Sequence, residues 1–395
     1  MSAKLWAAAF LIFVPIIAGV RIPILGQQPA STATPIIPYS ESIPYKPRLF
    51  QISKKKSKDK KDKADEVVVH EQQPEQMPGN GPVVKEDSPV TIPVSVFDIR
   101  GNFVTGLKKE DFKMYIDGSE VTVLNVEQRK EPLNVLLVVD TSPSGTEVFD
   151  AAKKLALATV DQFGPDDKIK VFRFSSSLKE LSPLTADRAV VGSALKKVKP
   201  GGDGTSLYDI TRELFETHVA PLTGRTIVLL ITDGVDTTSS TKYSVSLVAA
   251  EMTEATVYPI YLDTYSSVRR GRTIITRGLP PELQAAVQSA LGNYPPPKGT
   301  LESEYQVGRL YLNDLIYLSG GRAIDVTDLI KGTPKVPVTI SDELRQQYYV
   351  TFSPVGTAYV GQRKHLKVRV NRPNLAVTAR GSYVVGSPPS KVALQ

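Results

Sequence analysis

The stretch NVLLVVDTSPSG, residues 134–145, closes a run of aliphatic side chains with Asp140, Ser142 and Ser144 at alternate positions. All three are hard oxygen donors, suited to magnesium, manganese or calcium rather than to soft metals. Two other segments offer the same chemistry: LLITDG sets Asp233 directly behind a second aliphatic run, and GGDGTSLYD sets Thr205 behind a glycine-rich turn. Two carboxylates and three hydroxyls suit Mg2+, which takes about six oxygens in an octahedron at roughly 2.0 to 2.1 Å and readily keeps water. Mn2+ and Ca2+ are alternatives for the same donors. Such a set neither neutralises nor encloses the ion, so a coordination position would stay open to an acidic side chain of another molecule. Taken singly, each piece has a plainer reading: Asp-Thr-Ser and Thr205 as helix caps, Thr-Asp-Gly as a turn. Their conjunction, in this order and at strand ends, favours a metal site. Asp203 and Asp236 lie close in sequence and read as solvated loop residues.

For these donors to meet, their loops must leave one edge of one sheet. NVLLVVD, TIVLLITDG and TVYPIYLD are continuous apolar runs, the pattern of strands buried on both faces, and KIKVFRFSS and GGRAIDVTD read as further strands. Between them, ADRAVVGSALKKV, SLYDITRELFETHV, SVSLVAAEMTEA and LYLNDLIYLS have helical spacing. Strands alternating with helices predict an α/β fold, a Rossmann-like, doubly wound and mostly parallel sheet over residues 132–338. In such sheets ligands sit beyond the carboxyl ends of the strands, at the point where the connections diverge. Residues 89–131 and 339–386 instead alternate with period two, about three strands on each side. Neither set suffices for a core of its own. The expectation is that they pair into one small β-sandwich-like domain, with the α/β body inserted between its halves.

The spacing Asp-x-Ser-x-Ser, followed by Gly-Thr at a helix start and a strand-terminal Thr-Asp-Gly, resembles the metal-ion-dependent adhesion site (MIDAS) of the von Willebrand factor type A (VWA) domain. The likeness covers roughly residues 133 to 335. The flanks VTIPVSVFDIRGNFVTGLKKEDFKMYIDG and LRQQYYVTFSPVG are similar to those bracketing this domain in the acidobacterial VWA-related family of exported proteins. The resemblance implies a Rossmann-like domain with Ser142, Ser144 and Thr205 as hydroxyl ligands, Asp140 and Asp233 acting largely through water, and a role in metal-dependent protein binding. One departure is Pro143, where a small residue such as Gly is usual; its fixed φ and missing N–H bear on how Ser144 points.

Composition narrows the alternatives. The 395-residue chain has no cysteine and three histidines, so thiolate metal sites, disulfides and a cysteine nucleophile are excluded. A serine hydrolase needs a positioned histidine. His70 falls in a linker, His218 near a helix end and His365 on a β-rich flank, and no Gly-x-Ser-x-Gly occurs. LLVVDTS faintly resembles the first motif of haloacid-dehalogenase-type phosphatases, but Ser142 stands where the supporting second Asp would be. A metal-dependent hydrolase is therefore the weakest reading, and a structural envelope scaffold with an idle metal site is the main alternative to a binding protein. The net charge of +7 is concentrated in residues 1–66, around KKKSKDKKDK, and gives the folded part no case for binding nucleic acid. Residues 1–26 read as a signal peptide or N-terminal anchor, so the body is expected to be exported, to the periplasm, the cell surface or beyond. Residues 27–88 read as a disordered Pro- and Lys-rich linker, with the leader and the Lys run as the places for membrane contact. The segment 264–300 is long for a connection in such a sheet and is expected on the metal face, where Arg269, Arg270, Arg272 and Arg277 would complement an acidic partner.

Overall fold

The structure, a computed structural model, describes residues 39–42, 81–142, 149–265, 298–325 and 344–386. The apolar leader, the Lys run, Ser144 and the arginines of the 264–300 segment lie outside these residues. In chain order, β1 (Ser40–Glu41), β2 (Val83–Lys85), β3 (Val90–Phe97), β4 (Phe112–Ile116) and β5 (Ser119–Gln128) lead into β6 (Asn134–Asp140) and α1 (Phe149–Val160). Next come β7 (Lys168–Phe174), β8 (Leu178–Glu180), α2 (Arg188–Lys197), α3 (Leu207–Glu213, extended by a π-helical stretch at Leu214–Val219), β9 (Thr226–Thr232) and α4 (Tyr243–Glu251). The chain continues through β10 (Thr256–Tyr261), α5 (Glu302–Ser319), β11 (Ile324–Asp325), β12 (Tyr348–Ser353), β13 (Thr357–Tyr359), β14 (Arg363–Val370), β15 (Ala376–Ala379) and β16 (Ser382–Val384).

The α/β part is a sheet in the order β11-β10-β9-β6-β7-β8, parallel except for the antiparallel edge strand β8. The unbroken apolar run of β6 follows from burial on both faces. Val135, Leu137 and Val139 pack with Ala152, Leu155 and Ala156 of α1 and Val191 and Leu195 of α2. Leu136 and Val138 pack on the other face with Leu207 and Ile210 of α3, Leu247 of α4 and Leu312 and Leu315 of α5. From β6 the chain steps sideways to β7 and then returns to β9 on the opposite flank of β6. The carboxyl ends of β6 and β9 therefore border the switch point, where an open sheet presents its crevice.

The flanking strands form a second sheet, β1-β14-β4-β5-β12-β3-β15, with β16 also on β14. Strands from before the α/β body (β4, β5, β3) are interleaved with strands from after it (β14, β12, β15), with β4 and β5 side by side, and every neighbouring pair is antiparallel. In place of the two faces of a sandwich there is a single rolled sheet. The long strand β5 turns the corner, pairing with β4 through Ser119 to Val121 and with β12 through Thr122 to Gln128. The far ends meet where Ser42 bridges Val377. Ile92, Met114, Val350, Phe352 and Val368 fill the interior. Part of the expected linker is thus structured, since β1 joins β14 and β2 pairs with β13. Strands this short lean on a partner's backbone and leave no hydrophobic period in the sequence.

Buried polar clamps join the two sheets. Glu251, at the end of α4, receives Arg363 Nε at 2.9 Å, Arg363 Nη2 at 2.6 Å and Ser382 Oγ at 2.5 Å, while its carbonyl takes Arg380 Nη2 at 2.7 Å. Arg225, just before β9, donates to the Tyr349 hydroxyl and the Arg129 carbonyl, both at 2.8 Å, and to the Leu344 carbonyl. Among the described residues no helix is long and apolar enough to cross a membrane.

Candidate metal centre

Asp140 is the last residue of β6, and its two oxygens are held in different directions. Oδ1 accepts the Ser142 N–H at 2.9 Å, and Oδ2 accepts the Thr232 hydroxyl at 2.6 Å from the neighbouring strand β9. Asp233 follows β9 directly. Its Oδ1 accepts the Val235 N–H at 3.0 Å, and its Oδ2 accepts the Thr264 hydroxyl at 2.6 Å from the segment after β10. Each carboxylate is thereby oriented by a backbone N–H and a hydroxyl donor.

Thr205 is brought in from a third direction. The Gly201 N–H bonds the Thr141 carbonyl at 2.8 Å, tying the glycine loop to the residue between Asp140 and Ser142. Gly204, at φ +150°, allows the loop to pass Thr238 so closely that a Cβ would lie 2.6 Å from its methyl group. The Thr205 N–H donates to Thr237 Oγ1 at 2.8 Å, and the Thr205 carbonyl accepts the Thr237 N–H at the same distance. The loop carrying Thr205 is therefore laced to the loop that begins with Asp233. Asp140, Ser142, Thr205 and Asp233 are all buried at this edge of the sheet. Ser144, the remaining donor of the set, lies outside the described residues.

The electrostatics are those of an acid pair. Burial, and after it the negative charge of Asp233, pushes Asp140 up to about 7; the Thr232 and Ser142 hydrogen bonds act against this but do not cancel it. Two buried carboxylates that repel one another are relieved by a proton or by a cation. Among the described residues no three His, Cys, Asp or Glu side chains cluster as a metal site, so a cation here would rest on two carboxylates supplemented by hydroxyls. That donor set fits a hard divalent ion.

Several contributing residues were not singled out from the sequence. Thr232 and Thr264 orient the carboxylates, and Tyr305 on α5 places its hydroxyl 3.2 Å from Thr264 Oγ1. Thr232 was within reach, since it precedes Asp233 in the same motif; nothing in the sequence marks Thr264 or Tyr305. Asp203 is exposed. Asp236 is not a freely solvated loop residue: it accepts Ser239 Oγ at 2.5 Å and the Tyr208 N–H at 3.3 Å, near the start of α3, and burial raises its pKa. Both ends of the 264–300 segment abut this region: Thr264 binds Asp233, and Lys298 Nζ donates to the Thr237 carbonyl at 3.0 Å. His218 lies against Phe172 in a tilted arrangement with ring centroids 4.8 Å apart, and His365 sits on β14.

Residues 135–235 match the family model of the von Willebrand factor type A domain. Among solved structures, the chain is similar to the conserved hypothetical protein BatB from Bacteroides thetaiotaomicron, with 17% identity, 54% of this chain and 97% of that one covered, and a TM-score of 0.35. It is also similar to proximal thread matrix protein 1 from the mussel byssus with a zinc-occupied MIDAS motif, with 20% identity over 34% of this chain and 39% of that one and a TM-score of 0.30. A third is the vWF domain of the type V pili tip protein Mfa5 from Porphyromonas gingivalis, with 18% identity, coverage of 27% and 38%, and a TM-score of 0.23. No curated protein matches the chain.

Proposed function

On the match of residues 135–235 to the family model of the von Willebrand factor type A domain, we propose that this chain binds a protein partner through a divalent cation, with Mg2+ the natural occupant, held by Asp140, Ser142, Ser144, Thr205 and Asp233. Domains of this family bind a divalent cation at the MIDAS. The observation that carries the reading is the buried Asp140–Asp233 pair at the switch point, two anions pressed together with hydroxyls gathered around them. Bound there, the cation would supply Lewis-acid attraction for a carboxylate oxygen of the partner. The chain's own part is to keep its carboxylates fixed through Thr232 and Thr264, to bring Thr205 in on its glycine loop, and to exclude bulk water by burial. The role is adhesion or complex assembly outside the cytoplasm, reached through the N-terminal leader. The reading is binding rather than catalysis: among the described residues His218 lies against Phe172 and His365 sits on β14, and neither is placed beside Asp140.

Calorimetry with Mg2+ and Mn2+ on the chelator-treated chain tests the cation: binding that disappears in Asp140→Ala supports the reading. No heat above background in the folded wild type would leave the fold as a scaffold with an idle site. A pull-down from envelope extract with and without chelator tests the partner, and capture that ignores the chelator refutes the metal-bridged contact.

A further inference from the structure

The segment Tyr39–Ser42 belongs to the Pro- and Ser-rich stretch between leader and body, yet it is bound to the rolled sheet by a dense set of specific contacts. Ser40 Oγ donates to the Arg372 carbonyl at 2.8 Å and accepts the Leu375 N–H at 3.0 Å. Ser42 bonds Val368 both ways, through its N–H at 2.8 Å and its Oγ at 2.9 Å. Between them, Glu41 takes Arg369 Nη2 at 2.6 Å and Lys367 Nζ at 3.3 Å, and the Arg369 guanidinium lies 3.8 Å above the Tyr39 ring. The backbone pairs Ser40 with Val370 and Glu41 with Arg369, and Ser42 then bridges Val377 on β15. These are the elements of strand addition to a sheet edge: main-chain pairing for affinity, side-chain sites for selectivity.

The contacts are also separable from the fold. No residue of this segment belongs to the apolar core of the rolled sheet, so the occupant adds edge pairing and charge and leaves the interior as it is. The segment is joined to the rest of its sheet only through residues 43–80, a contour on the order of 100 Å when extended, ample to reach a neighbouring molecule. The sequence supplies its own counter-example. Ile-Pro-Tyr occurs at 37–39 and again at 43–45, but the second copy continues Lys46-Pro47, with a cation and a proline where the first has Ser40 and Glu41. Neither residue offers a carboxylate to Arg369, and Lys46 has no hydroxyl to bond the Arg372 carbonyl as Ser40 does.

We propose that the edge between β14 and β15 is a docking slot for a Tyr-Ser-Glu-Ser strand, and that the slot accepts this segment from a second copy of the chain in place of its own, linking copies by exchange of an identical element. In a lone molecule the tethered segment wins because its effective concentration is high. Exchange becomes visible once that competition is removed. Two full-length variants do so: Arg369→Glu spoils the slot and keeps the segment, whereas Glu41→Arg spoils the segment and keeps the slot. By light scattering each variant alone is expected to run as a monomer, and an equimolar mixture to form a species of about twice the mass. Combining E41R with R369E in one chain restores the pairing in reverse and returns a monomer. Both variants must melt cooperatively; if R369E does not fold, Lys367→Glu replaces it. A mixture of folded variants that stays monomeric overturns the proposal, as does association that persists when Ser42→Pro is added to the donor, since that change removes the Ser42 N–H bond to Val368.

Discussion

Replacing Asp140 by asparagine is expected to make the metal-free protein more stable at alkaline pH, although it removes a residue from the candidate centre. Asp140 has its pKa raised from 3.8 to about 7, first by burial and then by Asp233. A carboxyl whose folded value lies above its unfolded value is stabilising while protonated. Its contribution is complete below the unfolded value near 3.8, is lost as pH rises through the folded value near 7, and is gone above it. At about 1.4 kcal/mol per tenfold change, the wild type in chelator should forfeit about 4 kcal/mol between pH 4 and 8 through this group. Asparagine carries no charge to desolvate. It keeps an acceptor for the Ser142 N–H but loses the charge-assisted bond from Thr232, a cost of about 1 to 2 kcal/mol. The net expectation at pH 8 is a gain of about 2 kcal/mol for the variant, shrinking and then reversing toward pH 4. Urea titrations of both proteins in chelator across this range read the difference directly, and taking the difference removes the other titrating groups. Curves that run parallel, with no change in their gap from pH 4 to 8, would refute the idea that a buried acid pair occupies this edge of the sheet.

Cation affinity should follow the same proton. Below pH 7, Mg2+ must displace a proton from Asp140, so calorimetric affinity is expected to fall by up to about tenfold per pH unit, and a flat profile from pH 5 to 8 would count against Asp140 as part of the centre. Thr264→Val removes the donor 2.6 Å from Asp233 Oδ2 and should lower both Mg2+ affinity and stability, the latter by about 1 to 2 kcal/mol in urea titration. Gly308→Ala places a Cβ 2.5 Å from the Gly234 carbonyl, backbone against backbone, so α5 must move away from the Asp233 loop; a loss of about 1 to 3 kcal/mol and weaker Mg2+ binding are expected, and an unchanged melting curve would refute that contact. Glu251→Ala leaves Arg363 and the Ser382 hydroxyl without their buried carboxylate and should cost about 3 to 5 kcal/mol, read as a lower urea midpoint.

The parts of this molecule that the sequence made legible are those in which one local pattern has one structural solution. The unbroken aliphatic run at 135–139, bounded by polar residues and rich in β-branched side chains, fits a strand covered on both faces, and an acid placed just after such a strand arrives at the carboxyl edge of a parallel sheet. Asp140 and Asp233 could therefore be placed from the chain alone, and Thr205 followed because a glycine turn before a helix delivers its first polar side chain to the same edge. What escaped was decided by partners far away in the chain. Thr264 is an ordinary residue behind β10 until the fold sets it 2.6 Å from Asp233. The rolled form of the second sheet depends on β5 being long enough to pair with β4 at one end and β12 at the other, a matter of register between segments some two hundred residues apart. Tyr39–Ser42 reads as part of a spacer because a two-residue strand with no side chain in the apolar core has little to announce it except Glu41, and Glu41 acquires meaning only beside Lys367 and Arg369. In each case the hidden information is a pairing, and a pairing is a property of two segments that neither one carries by itself.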